Sequence, residues 1–365
     1  MKIERPWRCR LLAWILALPL GLAGCDQGAE APQGFAGLGN EAAQFTPVRP
    51  GRTFSFPADH GAHDGFRIEW WYLTADLSDA QGRRFGVQWT LFRSALRAEP
   101  EQAGWGAPLV WLGHAAATSA NSHQAAERFA RGGVGQAGVS VQPFEAWIDD
   151  WSLTSLAQAG DPLAQMQVQA HGPGFAYRLQ LSGKGPLVLQ GQGGYSRKSD
   201  QGQASYYYSQ PFFQASGELQ IDGQRYQVSG PAWLDREWSS QPLAAGQSGW
   251  DWFSLHLDSG ERLMLFRVRE EAGTPYVTGT WIDADGHGQS LDRQAIRLTA
   301  QEYSEVAGKR VPTTWRLEIP GKGLDIQARA LNPQSWMNLS VPYWEGPIDF
   351  SGSHGGRGYL EMTGY

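Results

Sequence analysis

The sequence predicts an all-β protein with more than one domain. It contains 46 glycines and 21 prolines among 365 residues, and 12% of the residues are aromatic. Runs with the 3.6-residue period of an amphipathic helix are scarce. Short segments rich in aromatic and β-branched residues instead recur between turn-forming residues. Strands at such regular spacing favour barrels or sandwiches, and this length corresponds to about two ordinary domains.

The N-terminus has the features of a lipoprotein signal peptide over residues 1–24. Basic residues precede an apolar segment, residues 11–22, which is too short and too interrupted by proline to span a membrane stably. It ends in Leu-Ala-Gly-Cys, which resembles the bacterial lipobox, so we expect Cys25 to be lipidated and Cys9 to be removed. An ordinary signal peptide with a chance cysteine is the alternative. A lipidated mature chain has no thiol for disulfides or cysteine catalysis.

Lipidation at Cys25 predicts a protein of the cell envelope that is anchored to a membrane and faces the periplasm. Asp26 resembles the inner-membrane retention signal of enterobacterial lipoproteins, so the inner membrane is favoured and the outer membrane is the alternative. Residues 25–52 are rich in Gly, Ala, Pro and Gln, which indicates a flexible tether. We expect two β-barrels to follow, at residues 53–243 and 244–365, with the connection near residues 241–248.

Residues 66–93, FRIEWWYLTADLSDAQGRRFGVQWTLFR, are typical of a long β-hairpin because two aromatic-rich runs flank a short polar turn segment. Side chains alternate between the two faces of a strand, so Glu69 and Trp71 share one face, whereas Trp70 and Tyr72 lie on the other face. A buried carboxylate must be paired, hydrogen-bonded or protonated. Glu69 is therefore either a structural ion-pair partner or a working acid.

The loop before this hairpin, residues 56–64 (FPADHGAHD), contains two histidines and two aspartates. His60 and His63 are residue types that bind zinc or iron. The loop lacks a dedicated third ligand, however, and we predict no metal site. The other interpretations are that these side chains satisfy backbone groups of the loop, or that they line the mouth of a pocket.

A meander of short strands is predicted to follow the hairpin. Its strands are expected at residues 108–118, 144–153, 166–170, 175–181 and 187–190, with an irregular connection at 126–138. Tyr207 is the middle member of three consecutive tyrosines, which form either a half-buried strand or a binding stack. A hairpin around the turn dipeptide Asp222-Gly223 then leads to residues 231–239.

Residues 231–239, PAWLDREWS, form the second stretch with candidate chemistry. In a strand, Trp233, Asp235 and Glu237 share one face, whereas Arg236 and Trp238 belong to the other. The two carboxylates then lie roughly 7 Å apart along the backbone. That spacing suits an acid and a base with a water between them, and it suits equally a rim of ion pairs with arginines.

Residues 251–267, DWFSLHLDSGERLMLFR, repeat the pattern of residues 69–93. In both segments an acid, a tryptophan and a leucine precede a glycine-containing turn and a closing Leu-Phe-Arg. The two arms of 13 and 11 residues shorten to 9 and 7, so each arm loses four residues. An equal, even loss preserves the register and the faces, as expected for two copies of one hairpin. Further strands are predicted at residues 276–282, 295–298, 314–319, 325–330 and 358–365.

Several function classes are disfavoured by missing features. The net charge of −6 offers no cationic surface for nucleic acid. There is no G-x-S-x-G nucleophile elbow, no phosphate-binding glycine loop and no H-E-x-x-H motif. The sequence therefore indicates no cofactor.

Together, DHGAH, EWWYLTADL, LDREWS, YWEG and GYLEMTGY resemble the AttH-like proteins related to carotenoid 1,2-hydratase, over essentially the whole mature chain. The resemblance implies two tandem lipocalin-like (calycin) antiparallel β-barrels, in a fold that relatives use for apolar ligands. Relatives include hydratases that add water to a terminal isoprene double bond, cyclases that act on polyenes, and proteins thought to accompany ABC-type exporters. The hydratases carry histidine where this chain has Arg236, whereas Asp235 and Trp238 match. Glu69, Trp70 and Trp71 match the broader family motif.

We therefore predict a lipoprotein that binds an extended apolar molecule such as an isoprenoid or a lipid. If it is an enzyme, the expected reaction is acid-catalysed hydration or cyclisation of an alkene, with Asp235 as first candidate acid and Glu237 or Glu69 as second. The candidate ligand-binding residues are Trp70, Trp71, Tyr72, His60, His63, Trp233, Trp238 and Tyr207. The alternatives are a non-catalytic carrier or an accessory subunit of an ABC-type export system, and a metal-dependent hydrolase using His60 and His63. The hairpin repeat favours Asp235 and Glu237 over Glu69, because residues 231–239 have no evident copy in the second half.

Overall fold

The fold consists almost entirely of β-strands. The structure is a computed structural model that describes residues 43–98, 103–244 and 246–365, with 23 strands in these ranges. Three short 3-10 helices accompany them, at Ala58–His60, Arg293–Ala295 and Pro320–Lys322. None of the helices in these ranges has the length and apolar character needed to cross a membrane. The predicted all-β class is confirmed. The signal peptide, Cys25 and most of the tether lie outside the described residues.

The first sheet takes up the N-terminal two thirds of the described chain. Its strands are β1 (Ile68–Asp79), β2 (Arg84–Ala95), β3 (Leu109–Ser119), β4 (His123–Arg131), β5 (Ala137–Val141), β6 (Phe144–Ile148), β7 (Trp151–Ser155), β8 (Gln165–Gly172), β9 (Phe175–Gly183), β10 (Val188–Leu189), β11 (Tyr195–Arg197), β12 (Ala204–Ile221) and β13 (Gln224–Ser239). The antiparallel order is β4-β3-β2-β1-β13-β12-β9-β8-β7-β6-β5, and β10 and β11 both pair with β12. The sheet curls into a near-barrel around an apolar core that includes Trp71, Trp89, Trp111 and Trp151.

The second sheet is shorter and forms about half a barrel. Its strands are β14 (Gln247–Leu257), β15 (Arg262–Glu270), β16 (Tyr276–Ile282), β17 (Gly288–Leu291), β18 (Arg297–Val306), β19 (Lys309–Ile319), β20 (Leu324–Ala330), β21 (Trp336–Met337), β22 (Tyr343–Gly352) and β23 (Gly356–Thr363). The antiparallel order is β17-β16-β15-β14-β23-β22-β20-β19-β18, and β21 pairs with β22. Its concave side encloses a separate core that includes Phe253, Trp315 and Trp344.

Three strand predictions need correction. Residues 144–153 are not one strand, since they contain β6, a turn at residues 149–150 and the start of β7, which pairs with β6. Residues 126–138 are not an irregular connection, since they contain most of β4 and the start of β5. Their several small residues obscure the alternation, and pairing with β3 and β6 supplies the backbone hydrogen bonds that order them. Strand β22 was not predicted as a separate strand, because a proline and a glycine interrupt its apolar pattern.

The two predicted copies of the hairpin have the same register. In the first copy Glu69 lies directly opposite Arg93, and in the second Asp251 lies opposite Arg267. Both acids are fully buried. Each hairpin thus begins with a buried carboxylate that faces an arginine across the ladder, so the repeated pattern is architectural.

The strands flanking the two hairpins are equivalent as well. Trp70 of β1 pairs with Glu237 of β13, and Trp252 of β14 pairs with Glu361 of β23. Strand β23 therefore occupies in the second sheet the place of β13 in the first. Residues 231–239 have no evident copy in the sequence of the second half, but β13 thus has a structural counterpart in β23. The residue types have diverged too far for the sequences to reveal this equivalence.

The outer faces of the two sheets pack against each other. Aromatic side chains form most of this interface, among them Tyr72, Tyr207, Trp233, Trp252, Phe266 and Tyr359. The close approach requires a glycine at Gly86 in β2, because a Cβ added there would lie 2.7 Å from Pro347 and 2.8 Å from the Tyr359 hydroxyl. All described residues belong to one compact unit.

Candidate functional site

An apolar cavity of about 250 Å³ lies between the facing surfaces of the two sheets. The side chains of its apolar wall are Ile68, Trp70, Phe92, Leu112, Leu243, Trp250, Trp252 and Phe266. This volume is near the lower end of the range of roughly 300–1,000 Å³ typical of small-molecule sites. The cavity therefore suits a small apolar molecule, or one end of an extended one.

Asp235 reaches this cavity from the outer face of β13, as the strand alternation predicts. Its carboxyl accepts hydrogen bonds from the Tyr207 hydroxyl at 2.8 Å, from Trp233 Nε1 at 2.7 Å and from the Ser209 hydroxyl. Burial raises the pKa of Asp235 to about 7, with a further increase from the nearby Glu237, although the three hydrogen bonds oppose the shift. Asp235 can therefore exchange a proton near neutral pH.

Glu361 reaches the same cavity from β23 in the second sheet. Trp250 Nε1 donates to its carboxyl at 2.6 Å, and the Tyr72 hydroxyl also hydrogen-bonds to it. Burial raises the pKa of Glu361 to about 7, and the charges of Asp235 and Glu237 raise it further. Two carboxyls from different sheets thus titrate in the same range within one apolar space.

Glu237 also lines the cavity, but it is held in an ion pair. Lys198 Nζ lies 2.7 Å from Glu237 Oε1, and the same ammonium lies 4.0 Å from the centre of the Phe266 ring. Both side chains are about nine-tenths buried. A carboxylate that is held by a buried cation is suited to positioning and charge balance, and this is the role that the geometry gives to Glu237.

A fourth acid, Glu345 of β22, is buried directly behind the cavity wall. The Tyr72 hydroxyl makes a short hydrogen bond to Glu345 Oε1, and Tyr343 interacts with the same carboxyl. Burial raises the pKa of Glu345 well above its ordinary value, and the charge of Glu361 adds to the effect. Glu345 therefore holds its proton more tightly than a solvated glutamate does.

Glu69 lies on the opposite face of the first sheet, inside the barrel. Its carboxylate accepts from the His63 backbone N–H at 2.7 Å, and lies 3.1 Å from Arg236 and 3.3 Å from Arg93. Burial alone would raise its pKa, but hydrogen bonding from His63 and the charges of the two arginines lower the pKa to about 2. Glu69 is thus ionised at neutral pH and is not a proton donor there.

The histidines of the loop at residues 56–64 belong to the same buried ion cluster. His63 Nδ1 lies 3.1 Å from Glu69 and its Nε2 lies 3.1 Å from Asp59, so both ring nitrogens are engaged. His60 Nδ1 lies 2.6 Å from the Tyr208 hydroxyl. Among the described residues, the group of carboxylate and imidazole ligands close enough to share a metal ion is instead Asp283, Asp285 and His287, on a turn between β16 and β17.

The predicted site residues thus divide between the two faces of one sheet. Those around the cavity are Asp235, Glu237, Trp70, Tyr72, Tyr207 and Trp233. Those in the ion cluster or the barrel core are Glu69, His60, His63, Trp71 and Trp238, and the His63 ring stacks on Trp238 at 4.0 Å. The sequence reasoning missed Glu361, Glu345 and Lys198. The alternation of Tyr359 and Glu361 with apolar residues in GYLEMTGY was an available signal for the first of these.

An apolar row connects the cavity with the surface. Trp70, Phe92, Leu112 and Phe129 are successive cross-strand partners on the outer faces of β1, β2, β3 and β4. The first three line the cavity, and Phe129, on the edge strand, is 53% exposed. The row offers a continuous apolar path from the sheet edge into the cavity.

The sequence model of the AttH-like family matches residues 47–365. The crystal structure of an AttH protein from Nitrosomonas europaea shares 32% identity with a TM-score of 0.77, and the match covers 88% of this chain and all of that one. Kievitone hydratase from Nectria haematococca shares 16% identity with a TM-score of 0.62, over 88% of this chain and 98% of that one, which shows a common fold. A search of curated proteins found no significant match.

Proposed function

Since the chain belongs to the AttH-like family, whose tandem lipocalin-like sheets it shares, we propose that it binds a small apolar molecule between the sheets and hydrates a carbon–carbon double bond of that molecule. One observation carries the proposal. Asp235 and Glu361, both with a pKa raised to about 7, enter a single apolar cavity from opposite sheets. Acid–base catalysis is most efficient when the pKa of the catalytic group is close to the working pH.

The reaction needs one protonated and one ionised carboxyl. Mutual repulsion in a buried site favours this singly protonated state of the pair. The carboxylic acid gives its proton to one alkene carbon, where the π electrons form the new C–H bond and leave a cation on the other carbon. A water oxygen bonds to that cation, and the carboxylate removes the surplus proton from the water. Atoms and charge balance without a cofactor.

The aromatic wall supports the cationic intermediate. Trp70, Trp252 and Phe266 line the cavity. A desolvated cation near an aromatic face is stabilised by about 2 kcal/mol. If a second double bond of the ligand replaces the water as nucleophile, the same chemistry gives cyclisation. Kievitone hydratase is a hydratase of related fold, and at 16% identity its activity supports the proposal by analogy only.

The proposal is tested by incubating the protein with short isoprenoid alkenes in ¹⁸O-labelled water. We expect an alcohol that carries the label, detected by mass spectrometry, and none with heat-unfolded protein. Mass spectrometry of apolar molecules that co-purify with the mature protein identifies the substrate class. A reproducibly bound ligand without any labelled alcohol would refute hydration and leave a non-catalytic carrier, or an accessory subunit of an ABC-type export system.

We further propose that Cys25 anchors the chain to a membrane and that the ligand arrives from that membrane along the apolar row ending at Phe129. The test compares the full-length chain with its Cys25→Ser variant in a bacterial host. We expect the native chain to fractionate with membranes and to carry an N-terminal acyl modification by mass spectrometry. The variant should lose the modification. A native chain that remains in the aqueous fraction without acyl groups would contradict the anchor.

A further inference from the structure

Hydrogen-bonding side chains extend from the cavity carboxyl Glu361 towards the protein surface. Tyr72 contacts both Glu361 and Glu345, and Tyr343 interacts with Glu345 in turn. The Tyr343 hydroxyl lies 2.9 Å from His114 Nδ1. Tyr72 and His114 belong to the first sheet, whereas Glu361, Glu345 and Tyr343 belong to the second, so the chain of contacts exists only where the sheets meet.

The outer end of this chain has an unused polar atom. His114 is 1% exposed, and its Nε2 has no hydrogen-bond partner among the described residues. Nε2 lies 4.0 Å from Glu127 Oε2, a gap that one bridging water can close. The Glu127 side chain is 27% exposed and is fixed by the Ser340 hydroxyl at 2.7 Å, so it connects the buried chain with solvent.

We infer that Tyr72, Glu345, Tyr343 and His114 form a relay that exchanges protons between Glu361 in the cavity and solvent at Glu127. Each member can give up one proton while it accepts another: a phenol does so at its single oxygen, the imidazole through its two nitrogens and the carboxyl group through its two oxygens. Glu345 Oε2 has no partner of standard hydrogen-bond geometry within the described residues, which leaves it free to take up a proton. Along the relay each O–H or N–H bond that breaks is replaced by one on the next atom.

The relay deepens the proposed function, because hydration reverses the protonation states of the two cavity carboxyls. The acid has lost its proton and the base has gained one, so before a further cycle in the same sense the base must release a proton and the acid must regain one. An apolar ligand or product in the cavity blocks bulk water from Asp235 and Glu361. A path through the cavity wall lets Glu361 exchange its proton while the cavity is filled.

The relay is tested without any substrate, by infrared spectroscopy after a pH jump. The carboxylic acid band of Glu361 is identified as the band missing in Glu361→Gln. In the native protein we expect this band to respond in a fast phase that persists when the cavity is filled with dodecane. In Glu345→Gln and in Tyr343→Phe that fast phase should be lost, because an amide or a phenyl ring cannot pass on a proton.

Tyr206→Phe is the matched control, since Tyr206 is a buried tyrosine whose hydroxyl bonds the Arg49 backbone, away from the relay. It should keep the fast phase. Tyr343→Phe keeps the aromatic ring, so this variant tests the relay if Glu345→Gln does not fold. An unchanged fast phase in Tyr343→Phe would overturn the relay and show that protons enter through the cavity mouth. That outcome is independent of hydration, because the ¹⁸O experiment can succeed or fail separately.

Discussion

Asp235→Asn is expected to lose hydration activity while keeping the fold and the bound apolar ligand. The amide retains the shape of the carboxyl and can still accept from Trp233 and Ser209, but it cannot supply a proton. Loss of general acid–base catalysis typically lowers the rate by roughly 10²–10⁴-fold. Turnover is followed by ¹⁸O incorporation, and binding by mass spectrometry of the co-purified ligand. A variant that hydrates at the native rate would exclude Asp235 as the acid or base.

The same variant should be more stable than the native protein at pH 8. Because burial raises the pKa of Asp235 from 3.8 to about 7, the folded protein binds more protons than the unfolded chain between about pH 4 and pH 7. The stability of the native protein therefore falls as pH rises through that window, by up to about 4 kcal/mol for this one group. Burial also raises the pKa values of Glu361 and of Asp76, a residue of β1, to about 7. The variant therefore keeps part of the pH dependence of stability.

Thermal unfolding at pH 5 and pH 8 measures this effect. The difference between the midpoint temperatures of unfolding at pH 5 and at pH 8 should be smaller in Asp235→Asn than in the native protein. The surface variant Glu218→Gln should show the same difference as the native protein. Greater stability at pH 8 combined with lost turnover also separates a chemical defect from misfolding. Equal pH dependence of Asp235→Asn and the native protein would show that Asp235 is ionised in both states.

Strand alternation alone correctly assigned most of the chemistry to faces. It put Asp235 and Glu237 on one face of β13 and Arg236 on the other, and the register bears this out. The hairpin repeat also predicted that Glu69 and Asp251 are equivalent. These properties depend on residues that are neighbours along one strand or one hairpin, where a period of two is sufficient.

The partner acid could not be found in the same way. Glu361 comes close to Asp235 only because the outer faces of two separate sheets pack together, and the two residues are 126 positions apart in the sequence (361 minus 235). The ion pair between Lys198 and Glu237 likewise joins a loop to a strand. Nothing in local periodicity encodes which outer face meets which. The lowered pKa of Glu69 also depends on the charge of Arg236, which β13 brings beside β1.

Arg236→Met is expected to destabilise the protein by roughly 3–5 kcal/mol, the typical effect of removing one partner of a buried ion pair. Arg236 donates to the backbone oxygens of Gly61 at 2.6 Å and Trp70 at 2.9 Å, and its guanidinium lies 3.8 Å from the Trp71 ring centre. All of these contacts lie on the barrel side, away from the cavity. Chemical denaturation should show the loss as a lower midpoint.

Adding Glu69→Gln to Arg236→Met should recover part of that stability. The single variant buries the negative charge of Glu69 without one of its cationic partners, and the double variant removes that charge. The comparison with Glu69→Gln alone completes a double-mutant cycle. We expect folded Arg236→Met protein at low temperature to retain hydration, since Asp235 and Glu361 are untouched. Native stability together with abolished turnover would instead assign Arg236 to the chemistry. The contacts of Arg236 on the barrel side predict instead that this residue stabilises the fold.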